Sequence, residues 1–442
     1  MSKNYKPKGL LNFAGNCYMN SLIQCLYYCI DFRNSILGYE MPIRNSFTYL
    51  IKELFKDLKN SRYETITPKA IKEKLNNSNI IFKNRSGADV TDLFDFIINS
   101  ISIELKPNFS ENETVDYESQ IFDKKAMYEE AKKDIGTKTI IDEIFLGMYE
   151  KISICNKNNE HYKYSFQSEY RLIFPIESIS YTIKNKELNL LDCFEYTFCY
   201  SEETGQKCYK NNCRYPITLY EKIYESPKIL VIILDRGCHK KYDIKVNFNL
   251  EIDITKYIDD DKKNTNSNIY TLIGVSTHFG YSGIAGHYVS FCLCDDNKYY
   301  SFNDSLINKI EKNSIIETIN RGSSYILFYR RKDYQFKKRI EIKSKSTKEI
   351  IVEEINKYLK NYTLSQNSDN FIWVFGKKSV SLNFGKEHAE FVFEEKYQKY
   401  TCCSVVTVNN KSSFSININN IVPQEFITIF DIKFNNFFIQ NK

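Results

Sequence analysis

No segment of the 442-residue sequence is apolar for long enough to cross a membrane, because none approaches the roughly 18–20 apolar residues that a spanning helix requires. The N-terminal stretch Met1–Gly9 is polar and contains lysine, without the apolar core of a secretion signal. We therefore expect no membrane association and a location in the cytoplasm, the nucleus or both.

Clustered positive charge is also absent. The 61 basic and 55 acidic residues give a formal net charge of only +6, and no arginine-rich stripe concentrates it. Nucleic-acid binding requires a concentrated basic surface, so we expect no nucleic-acid partner.

A disulfide framework is not indicated either, because the 13 cysteines are scattered and odd in number. This usage is typical of reduced thiols in a reducing compartment.

The first third of the chain has the apolar periodicity of helices. The pattern occurs in four segments, Cys17–Cys29, Phe47–Leu58, Pro68–Leu75 and Asp89–Leu105. Asn16 precedes the first of these helices as a candidate N-cap. The polar stretch 106–139 is expected to form long surface loops.

From residue 143 onwards the pattern changes to short aromatic and β-branched strands, predicted at 152–155, 170–176, 229–234, 270–276, 288–293, 299–302 and 325–329. Residues 259–268 are polar and predict an exposed loop. The lysine-rich stretch Arg330–Lys348 marks a boundary. Beyond it, an amphipathic helix near 347–359 and strand-like runs within 371–438 predict a separate, non-catalytic α+β module.

One cysteine has a physical reason to be reactive. Cys17 begins the first predicted helix, where unpaired N–H groups and the helix dipole favour a thiolate over a thiol. The thiolate is the nucleophilic form. Asn12 lies five residues upstream, where its amide could donate to the oxyanion of a tetrahedral intermediate.

The segment around Cys17, GLLNFAGNCYMNSLIQ over Gly9–Gln24, resembles the cysteine motif of the ubiquitin-specific proteases. The residues that match the family pattern are Gly9, Leu10, Asn12, Cys17, Tyr18, Met19, Asn20, Ser21 and Gln24. Residues 14–16 depart from it. The resemblance assigns Cys17 as the nucleophile and leaves Asn12 in place.

Two later blocks resemble the histidine motif of the same family. The segment YTLIGVSTHFGYSGIAGHYVSFC contains His278 and His287, with a loop one residue longer than the common form. His287 carries over as the general base, and His278 is expected to shape the loop. In YYSFND, Asn303 falls on the third triad position, where its side-chain oxygen would accept a hydrogen bond from the imidazole Nδ1–H. Asp304 follows and would add negative potential near the imidazolium.

The resemblance covers about residues 8–331 and implies an α+β, papain-like fold with helical thumb, β-sheet palm and β-sheet fingers. The implied catalytic domain is 1–333, with the thumb at about 8–140, the fingers at about 145–225 and the palm at about 226–331. Residues 334–442 form the C-terminal module, for which we expect a role in binding a protein partner or selecting substrates.

Many family members bind a structural Zn²⁺ through two Cys-x-x-Cys pairs, and this chain departs from that pattern. Cys155 is present, but Asn158 stands where its partner is expected, and the second pair, Cys208 and Cys213, is two residues wider than usual. His161 could supply a fourth ligand, since three cysteines and one histidine suit zinc. The sequence leaves two interpretations, a zinc site formed by these residues or a hairpin loop whose cysteines are reduced and bind no metal.

The implied reaction is hydrolysis of the peptide or isopeptide bond after the C-terminal glycine of ubiquitin, through a thioester acyl-enzyme and without a catalytic cofactor. One alternative is a protease for another ubiquitin-like modifier, which the sequence does not discriminate. A second is an inactive ubiquitin-binding scaffold, against which the intact Cys17, His287, Asn303 and Asn12 argue. A third, a zinc-ribbon adaptor, conflicts with the ligand spacing.

Overall fold

The structure is a computed structural model. It describes residues 6–13, 15–39, 46–78, 82, 89–106, 124–136, 138–199, 202–210, 213–237, 244–263, 267–282, 285–333, 371–375, 379–384, 387–394 and 399–407. The chain forms two compact units. The first comprises Met1–Tyr39 and Leu50–Phe336, and the second comprises Glu40–Tyr49 and Lys337–Lys442. The division at 333/334 into a catalytic domain and a C-terminal module stays a prediction.

Within the described ranges, the helices are concentrated in the first third of the chain. They are α1 (Cys17–Tyr28), α2 (Ile30–Gly38), α3 (Phe47–Asn60), α4 (Lys69–Ser78), α5 (Val90–Leu105), α6 (Lys124–Ile135), α7 (Ile140–Phe145), α8 (Ile176–Ile183), α9 (Leu190–Phe198) and α10 (Ile315–Ile319). Two short 3₁₀ turns occur at Thr255–Tyr257 and Lys312–Ser314. None of the described helices is long and apolar enough to cross a membrane.

The described strands follow mainly in the middle of the chain. They are β1 (Gly9–Leu10), β2 (Thr65–Ile66), β3 (Gly147–Cys155), β4 (Tyr162–Glu169), β5 (Leu172–Pro175), β6 (Glu187–Asn189), β7 (Glu202–Lys207), β8 (Pro216–Glu225), β9 (Ile229–Asp235), β10 (Lys245–Asn247), β11 (Glu251–Asp253), β12 (Ile269–Ser282), β13 (Ala285–Leu293), β14 (Tyr299–Asn303), β15 (Leu306–Lys309), β16 (Ser323–Arg331), β17 (Phe371–Phe375), β18 (Ser379–Phe384), β19 (Glu387–Glu394) and β20 (Lys399–Thr407).

An eight-stranded sheet carries the later part of the first unit. Its order is β15-β14-β13-β12-β16-β9-β5, with β11 paired to β12. All of these pairs are antiparallel except β5 with β9. The strand β9 reads ILVIIL over Ile229–Leu234 and is buried throughout, because it lies between β16 and β5 within the sheet. This arrangement places β13 and β14 side by side.

A second, antiparallel sheet has the order β4-β3-β8-β7, and we refer to it as the fingers sheet. Its base is buried on both sides. On one side Tyr149 packs against Phe198 of α9, with ring centroids 6.5 Å apart. On the other side Tyr128 of α6 packs against Phe166 and Tyr224, at centroid distances of 5.6 and 4.7 Å.

The structure corrects two parts of the predicted organisation. Residues 106–139 were expected to be loops, but Lys124–Ile135 forms α6, whose Tyr128 is buried against the fingers sheet. The helices α8 and α9 were not predicted among the strands. The start of helix α9 could have been predicted from the sequence, because Asn189 and Asp192 form a capping box there. Short helices between strands carry too few turns to dominate a periodicity pattern.

The second unit contains an antiparallel sheet of the order β17-β18-β19-β20. The strand-like runs predicted within 371–438 are present as β17 to β20 in the part that the structure describes, which ends at residue 407. The predicted helix near 347–359 lies outside the described residues. The role of this segment in binding a partner or selecting substrates stays a prediction.

Lys124 joins α6 to the fingers sheet and to the loop after β11. Its ammonium lies 3.1 Å from Glu150 Oε1, 2.9 Å from Asp259 Oδ1 and 3.1 Å from Asp261 Oδ2. Glu150 is fully buried and Asp259 is 9% exposed. The expectation that residues 259–268 form an exposed loop is therefore wrong for Asp259, because Lys124 draws its carboxylate inward.

The buried carboxyl group in this cluster retains a proton to unusually high pH. Burial, and then the charge of Asp259, raise the pKa of Glu150 to about 7. A hydrogen bond between the two carboxyl groups also raises the pKa of Glu150, whereas for Asp259 the bonds to Lys124 and Glu150 outweigh burial and lower the pKa. Of the two carboxyl groups, Glu150 is therefore the one that takes up a proton first as the pH falls. At a pH between 4.5 and about 7, the folded state therefore binds a proton at Glu150 that the unfolded state has released.

This proton predicts a pH-dependent stability. Because the pKa of Glu150 is raised on folding, the free energy of unfolding should fall as the pH rises from about 4.5 to about 7, by up to about 3 kcal/mol at roughly 1.4 kcal/mol per unit. Glu150→Gln should flatten this dependence, since glutamine donates the same hydrogen bond without titrating. Urea unfolding at pH 5, 6 and 7 measures the difference, with exposed Glu130→Gln as the matched control. Equal slopes in Glu150→Gln and in the unaltered protein would contradict the assignment.

Candidate active site

Helix α1 begins at Cys17 and is buried along its whole length. All twelve residues from Cys17 to Tyr28 are buried, and the cysteine itself is 8% exposed. The apolar periodicity that predicts this helix over Cys17–Cys29 therefore describes only part of its buried surface. Such a helix is surrounded by core on every side, which fixes the position of its first residue.

Asn16 occupies the predicted N-cap position of α1, but its side chain does not cap the helix. Its Oδ1 accepts from the N–H of Phe13 at 3.0 Å, and its Nδ2 donates to the carbonyl of Leu11 at 3.2 Å and to Oδ1 of Asn20 at 3.0 Å. The side chain thus holds the preceding loop. The N–H groups of the first turn are left to act on the charge of Cys17 rather than on a capping oxygen.

His287 and Asn303 come from adjacent strands. His287 lies on β13 opposite Phe279, and Asn303 is the last residue of β14. The imidazole Nε2 lies 2.7 Å from Oδ1 of Asn303. The predicted pair is confirmed as a contact, but the predicted nitrogen is wrong, since the donor is Nε2 and not Nδ1. Nδ1 is then the ring nitrogen that remains for the thiol.

The imidazole of His287 is biased towards its charged form. Its hydrogen bond to Cys17 is the largest cause, and the bond to Asn303 and the charges of Cys17 and Asp304 act in the same direction. Burial lowers the pKa, but the other contributions outweigh it and raise the pKa of His287 to about 9. An imidazolium beside a cysteine sulfur is the arrangement of a thiolate–imidazolium pair.

The carboxylate of Asp304 connects the two halves of the site. Its Oδ2 accepts from Asn12 Nδ2 at 2.9 Å, and its Oδ1 accepts from Asn20 Nδ2 at 2.7 Å. Oδ2 also lies 3.5 Å from Nε2 of His287. The predicted negative potential near the imidazole is present. The hydrogen bonds from two asparagines of the segment around Cys17 (Gly9–Gln24, the nucleophile segment) were not predicted.

The backbone of Asp304 makes a further tie to the N-terminal segment. Its φ is +54°, and its carbonyl accepts from the N–H of Leu10 at 3.0 Å. The chains approach so closely here that a Cβ on Gly9 would lie 2.6 Å from Cα of Ser305. Only glycine permits this contact. The match of Gly9 to the family pattern therefore has a steric reason.

Asn12 lies at the site, with both ends of its amide hydrogen-bonded. Its Oδ1 accepts from the N–H of Asn16 at 3.2 Å, and one N–H of its Nδ2 donates to Asp304. The side chain is exposed. The structure thus fixes the amide next to the nucleophile segment, and the second N–H of Nδ2 is the one suited to an oxyanion.

Asn20 and Gln24 were given no role from the sequence, although both match the family motif. Asn20 Nδ2 lies 3.3 Å from the carbonyl of Leu11 in addition to its bond to Asp304, and Gln24 Nε2 donates to the carbonyl of Lys8 at 2.9 Å. Their spacing of four residues places them on one side of α1. Two amide side chains at that spacing on one predicted helix were the sequence signal that could have indicated their role.

His278, which is expected to shape the loop before His287, packs against the end of that loop. It is 2% exposed, and its ring lies 4.8 Å from the ring of Tyr288. A Cβ on Gly286 would lie 2.3 Å from Cε1 of His278. Glycine is therefore required at this position, directly before the catalytic candidate. Nearby, Tyr325 donates to Oδ2 of Asp89 at 2.9 Å.

The four predicted metal ligands come together at the far end of the fingers sheet. The ligand atoms of Cys155, His161, Cys208 and Cys213 all lie within 4.8 Å of one another. The sulfurs of Cys155 and Cys213 are 3.6 Å apart, and Nδ1 of His161 is 3.7 Å from the sulfur of Cys208. Tetrahedral zinc with these donors needs separations of about 3.3–3.8 Å. The donor set therefore fits a zinc ion.

Comparison with known proteins supports the same family as the motifs. The family described as "Ubiquitin carboxyl-terminal hydrolase" matches residues 8–329. Ubiquitin carboxyl-terminal hydrolase 46 of Caenorhabditis elegans is 25% identical over 399 residues, covering 74% of this chain and 89% of that protein. Ubiquitin carboxyl-terminal hydrolase 12 of Salmo salar is 25% identical over 359 residues, covering 74% and 90%.

Among solved structures, the yeast SAGA DUBm has a similar fold, with a TM-score of 0.54 at 20% identity over 74% of this chain and 69% of that one. The α+β, papain-like fold expected from the motifs is confirmed. With the family match over most of the chain, the chain belongs to the ubiquitin carboxyl-terminal hydrolase family and is a deubiquitinating cysteine protease.

Proposed function

We propose that Cys17 is the nucleophile and His287 the general base that cleave the bond after the C-terminal glycine of ubiquitin. The observation that carries this proposal is the continuous chain of contacts from Cys17 to His287 to Asn303. Of the alternatives, the inactive scaffold disagrees with these intact contacts. Ubiquitin or ubiquitinated proteins are the substrates that the family implies.

The reaction begins with attack by the Cys17 thiolate on the carbonyl carbon of the terminal glycine. The Nδ1 proton of the His287 imidazolium passes to the leaving amine, which departs as the C–N bond breaks and leaves a thioester. His287, now neutral, takes a proton from water as the water oxygen attacks the thioester. The C–S bond then breaks, which restores the Cys17 thiolate and releases the product as an acid that ionises to the carboxylate. The oxyanion of each tetrahedral step lies near the first N–H groups of α1 and the second N–H of Asn12.

Asn303 acts on His287 by orientation. Its Oδ1 accepts the Nε2–H, which fixes the tautomer and turns Nδ1 towards Cys17. Asp304 has a different part, since its carboxylate holds Asn12 and Asn20 as well as lying near the imidazole. We assign Asn303 to the orientation of the base and Asp304 mainly to the position of the nucleophile segment.

The assignment of Cys17 predicts two effects of Cys17→Ala. Hydrolysis of a fluorogenic ubiquitin amide should be abolished, because no other thiol among the residues that the structure describes contacts the base. The pKa of His287 should also fall, since its largest raising contribution is lost. Turnover assays and NMR titration of the histidine measure the two effects, with exposed Cys199→Ser as the control. Comparable activity in Cys17→Ala would exclude the assignment.

The separate roles of the two neighbouring residues predict different kinetics. Asn303→Ala should lower kcat by about 10- to 100-fold, which is less than the roughly 10⁴-fold loss expected for His287→Ala. Asn303→Asp should retain activity, because the aspartate carboxylate accepts the same hydrogen bond from His287. Asp304→Ala should also lower the melting temperature, since it releases Asn12 and Asn20. The exposed Asn308→Ala serves as the control. Equal losses in Asn303→Ala, Asn303→Asp and His287→Ala would show that Asn303 has only a structural role.

The cluster at the end of the fingers sheet is proposed as a structural zinc site. Cys155, Cys208, Cys213 and His161 would hold the ion, which supplies a cross-link between the β3–β4 and β7–β8 turns and takes no part in the reaction. Backbone N–H groups of Lys157 and Asn158 donate to the sulfur of Cys155, which stabilises it as a thiolate ligand. His161 thus takes the place of the cysteine missing at residue 158.

Zinc binding predicts about one zinc per chain in protein purified without chelator, measured by elemental analysis. His161→Ala should lower the zinc content and the melting temperature, and His161→Cys should restore both, since a thiolate suits the ion. The rate of the chemical step should be unchanged in a single-turnover assay. Cys199→Ser, outside the cluster, should keep its zinc. Protein without appreciable zinc would refute the site.

We also propose a reducing compartment, the cytoplasm or the nucleus, for this enzyme. Between residues 17 and 294 the structure describes ten cysteines, and all of them are free thiols. Two of them, Cys25 and Cys292, have sulfurs only 4.0 Å apart in the core and are not cross-linked. Free thiols that lie this close are typical of a reducing environment.

A further inference from the structure

One apolar side chain beside the active site is unusually exposed to solvent. Leu306 begins β15 and is 65% exposed, more than any other large apolar side chain in the strands whose side chains the structure describes. Single exposed apolar side chains are common on protein surfaces, so exposure alone indicates nothing. Leu306 is different because it is paired with Asn303 across the β14–β15 hairpin, and Asn303 accepts a hydrogen bond from His287.

The strand register gives the direction of this side chain. Residues that lie directly opposite each other in an antiparallel pair project from the same face of the sheet. Leu306 therefore projects from the face on which Asn303 meets the imidazole. Because β13 lies between β12 and β14, the imidazole of His287 has β12 on one flank and the β14–β15 hairpin on the other. The exposed leucine lies on the hairpin flank.

The turn of this hairpin is fixed against the nucleophile segment. The carboxylate of Asp304 accepts from Asn12 at 2.9 Å, and a Cβ on Gly9 would lie 2.6 Å from Cα of Ser305. A turn that packs this closely cannot move away from the site without breaking these contacts. Leu306, the next residue, thus presents an apolar surface at a fixed place beside the base.

The reaction assigns a different part of the substrate to each flank. The substrate crosses the imidazole of His287, because Nδ1 gives its proton to the leaving nitrogen. The segment between Phe279 and His287 contains Gly280, Gly283 and Gly286, and glycines let an extended backbone approach closely. That flank suits the extended tail of ubiquitin, which ends at the scissile bond. The hairpin flank then faces the leaving amine.

We infer that Leu306 is a specificity-determining residue that contacts the methylene stem of the lysine whose ε-amine is released. The inference rests on the proposed roles of Cys17 and His287. In an isopeptide bond the leaving nitrogen is attached to a chain of methylene groups, which is the part of lysine that packs on apolar surfaces. In a peptide bond the leaving nitrogen is attached directly to a polar backbone. Leu306 therefore favours isopeptide bonds over peptide bonds.

The size of this preference follows from the apolar area that the contact buries. Each methylene group removed from water contributes roughly four-fold in affinity, so contact with two of them corresponds to about ten- to fifteen-fold. The stem touches the same surface before and during the attack of the thiolate. The contribution should therefore appear mainly in KM and leave kcat nearly unchanged.

The test compares two conjugates of ubiquitin with one peptide, which starts with glycine and contains a single lysine. In the first conjugate ubiquitin is attached to the lysine ε-amine, and in the second to the N-terminal α-amine. Leu306→Ser in the full-length protein should lower kcat/KM for the ε-linked conjugate by about ten-fold, mainly through KM. For the α-linked conjugate the change should be less than about two-fold. Leu306→Met keeps an apolar side chain and should retain cleavage of both conjugates within about two-fold.

Two controls separate this contact from effects on folding or on the nucleophile. Leu191→Ser removes an exposed leucine from α9 and should change neither rate. Thermal unfolding checks that each variant is folded. A ubiquitin probe that ends in propargylamine forms a covalent bond with a reactive cysteine and has no group on the leaving side. Its rate of reaction should be the same in Leu306→Ser and in the unaltered protein.

The outcomes distinguish the inference from the proposal on which it rests. If peptide mapping shows that the probe does not label Cys17 in the unaltered protein, the proposed nucleophile is wrong. If Cys17 is labelled, a loss confined to the ε-linked conjugate in folded Leu306→Ser supports the contact with the lysine stem. Equal losses for the two conjugates, slower labelling by the probe, or unchanged cleavage of both conjugates would each overturn the inference.

Discussion

The carboxylate of Asp304 is the interaction on which the site depends. One carboxylate receives amide groups from Asn12 and Asn20, lies beside His287, and continues into a backbone carbonyl that binds Leu10. The residues it joins are separated by 284 and 292 positions in the chain. Because a carboxylate has several acceptor sites, it can bind both asparagines and still act on the imidazole. The nucleophile segment and the base are thereby held by a common group.

The complete burial of α1 is the second constraint. A helix with core on every side can neither rotate nor shift without disturbing close-packed neighbours, so Cys17 is presented in one position. Burial also makes nearby charges effective, because little water screens them. The pKa of His287 is raised to about 9 by its hydrogen bonds to Cys17 and Asn303 and by the charges of Cys17 and Asp304, although burial opposes the rise.

The fingers sheet is held at both ends by polar clusters and not by apolar packing alone. At its base, Lys124 lies against carboxylates from β3 and from the loop after β11, and the raised pKa of Glu150 favours its uncharged form beside Asp259. At its far end, three sulfurs and the ring of His161 converge in a geometry that suits zinc. A long two-sided sheet has little core of its own, so such clusters fix its strands. The fold thus uses charge where apolar area is limited.

The sequence by itself predicted many of the helices and strands and the candidate residues of the site. Apolar periodicity located α1 and β9, and the family motifs predicted Cys17, His287 and Asn303 as site residues, because these signals are local. Only the tertiary structure decided that Nε2 of His287 faces Asn303, that Asp304 binds two distant asparagines, and that His161 reaches the cysteines. Contacts between residues far apart in the chain depend on strand register and helix packing, which no local pattern encodes. The helix α6 escaped prediction for the same reason, since tertiary contacts override local polarity.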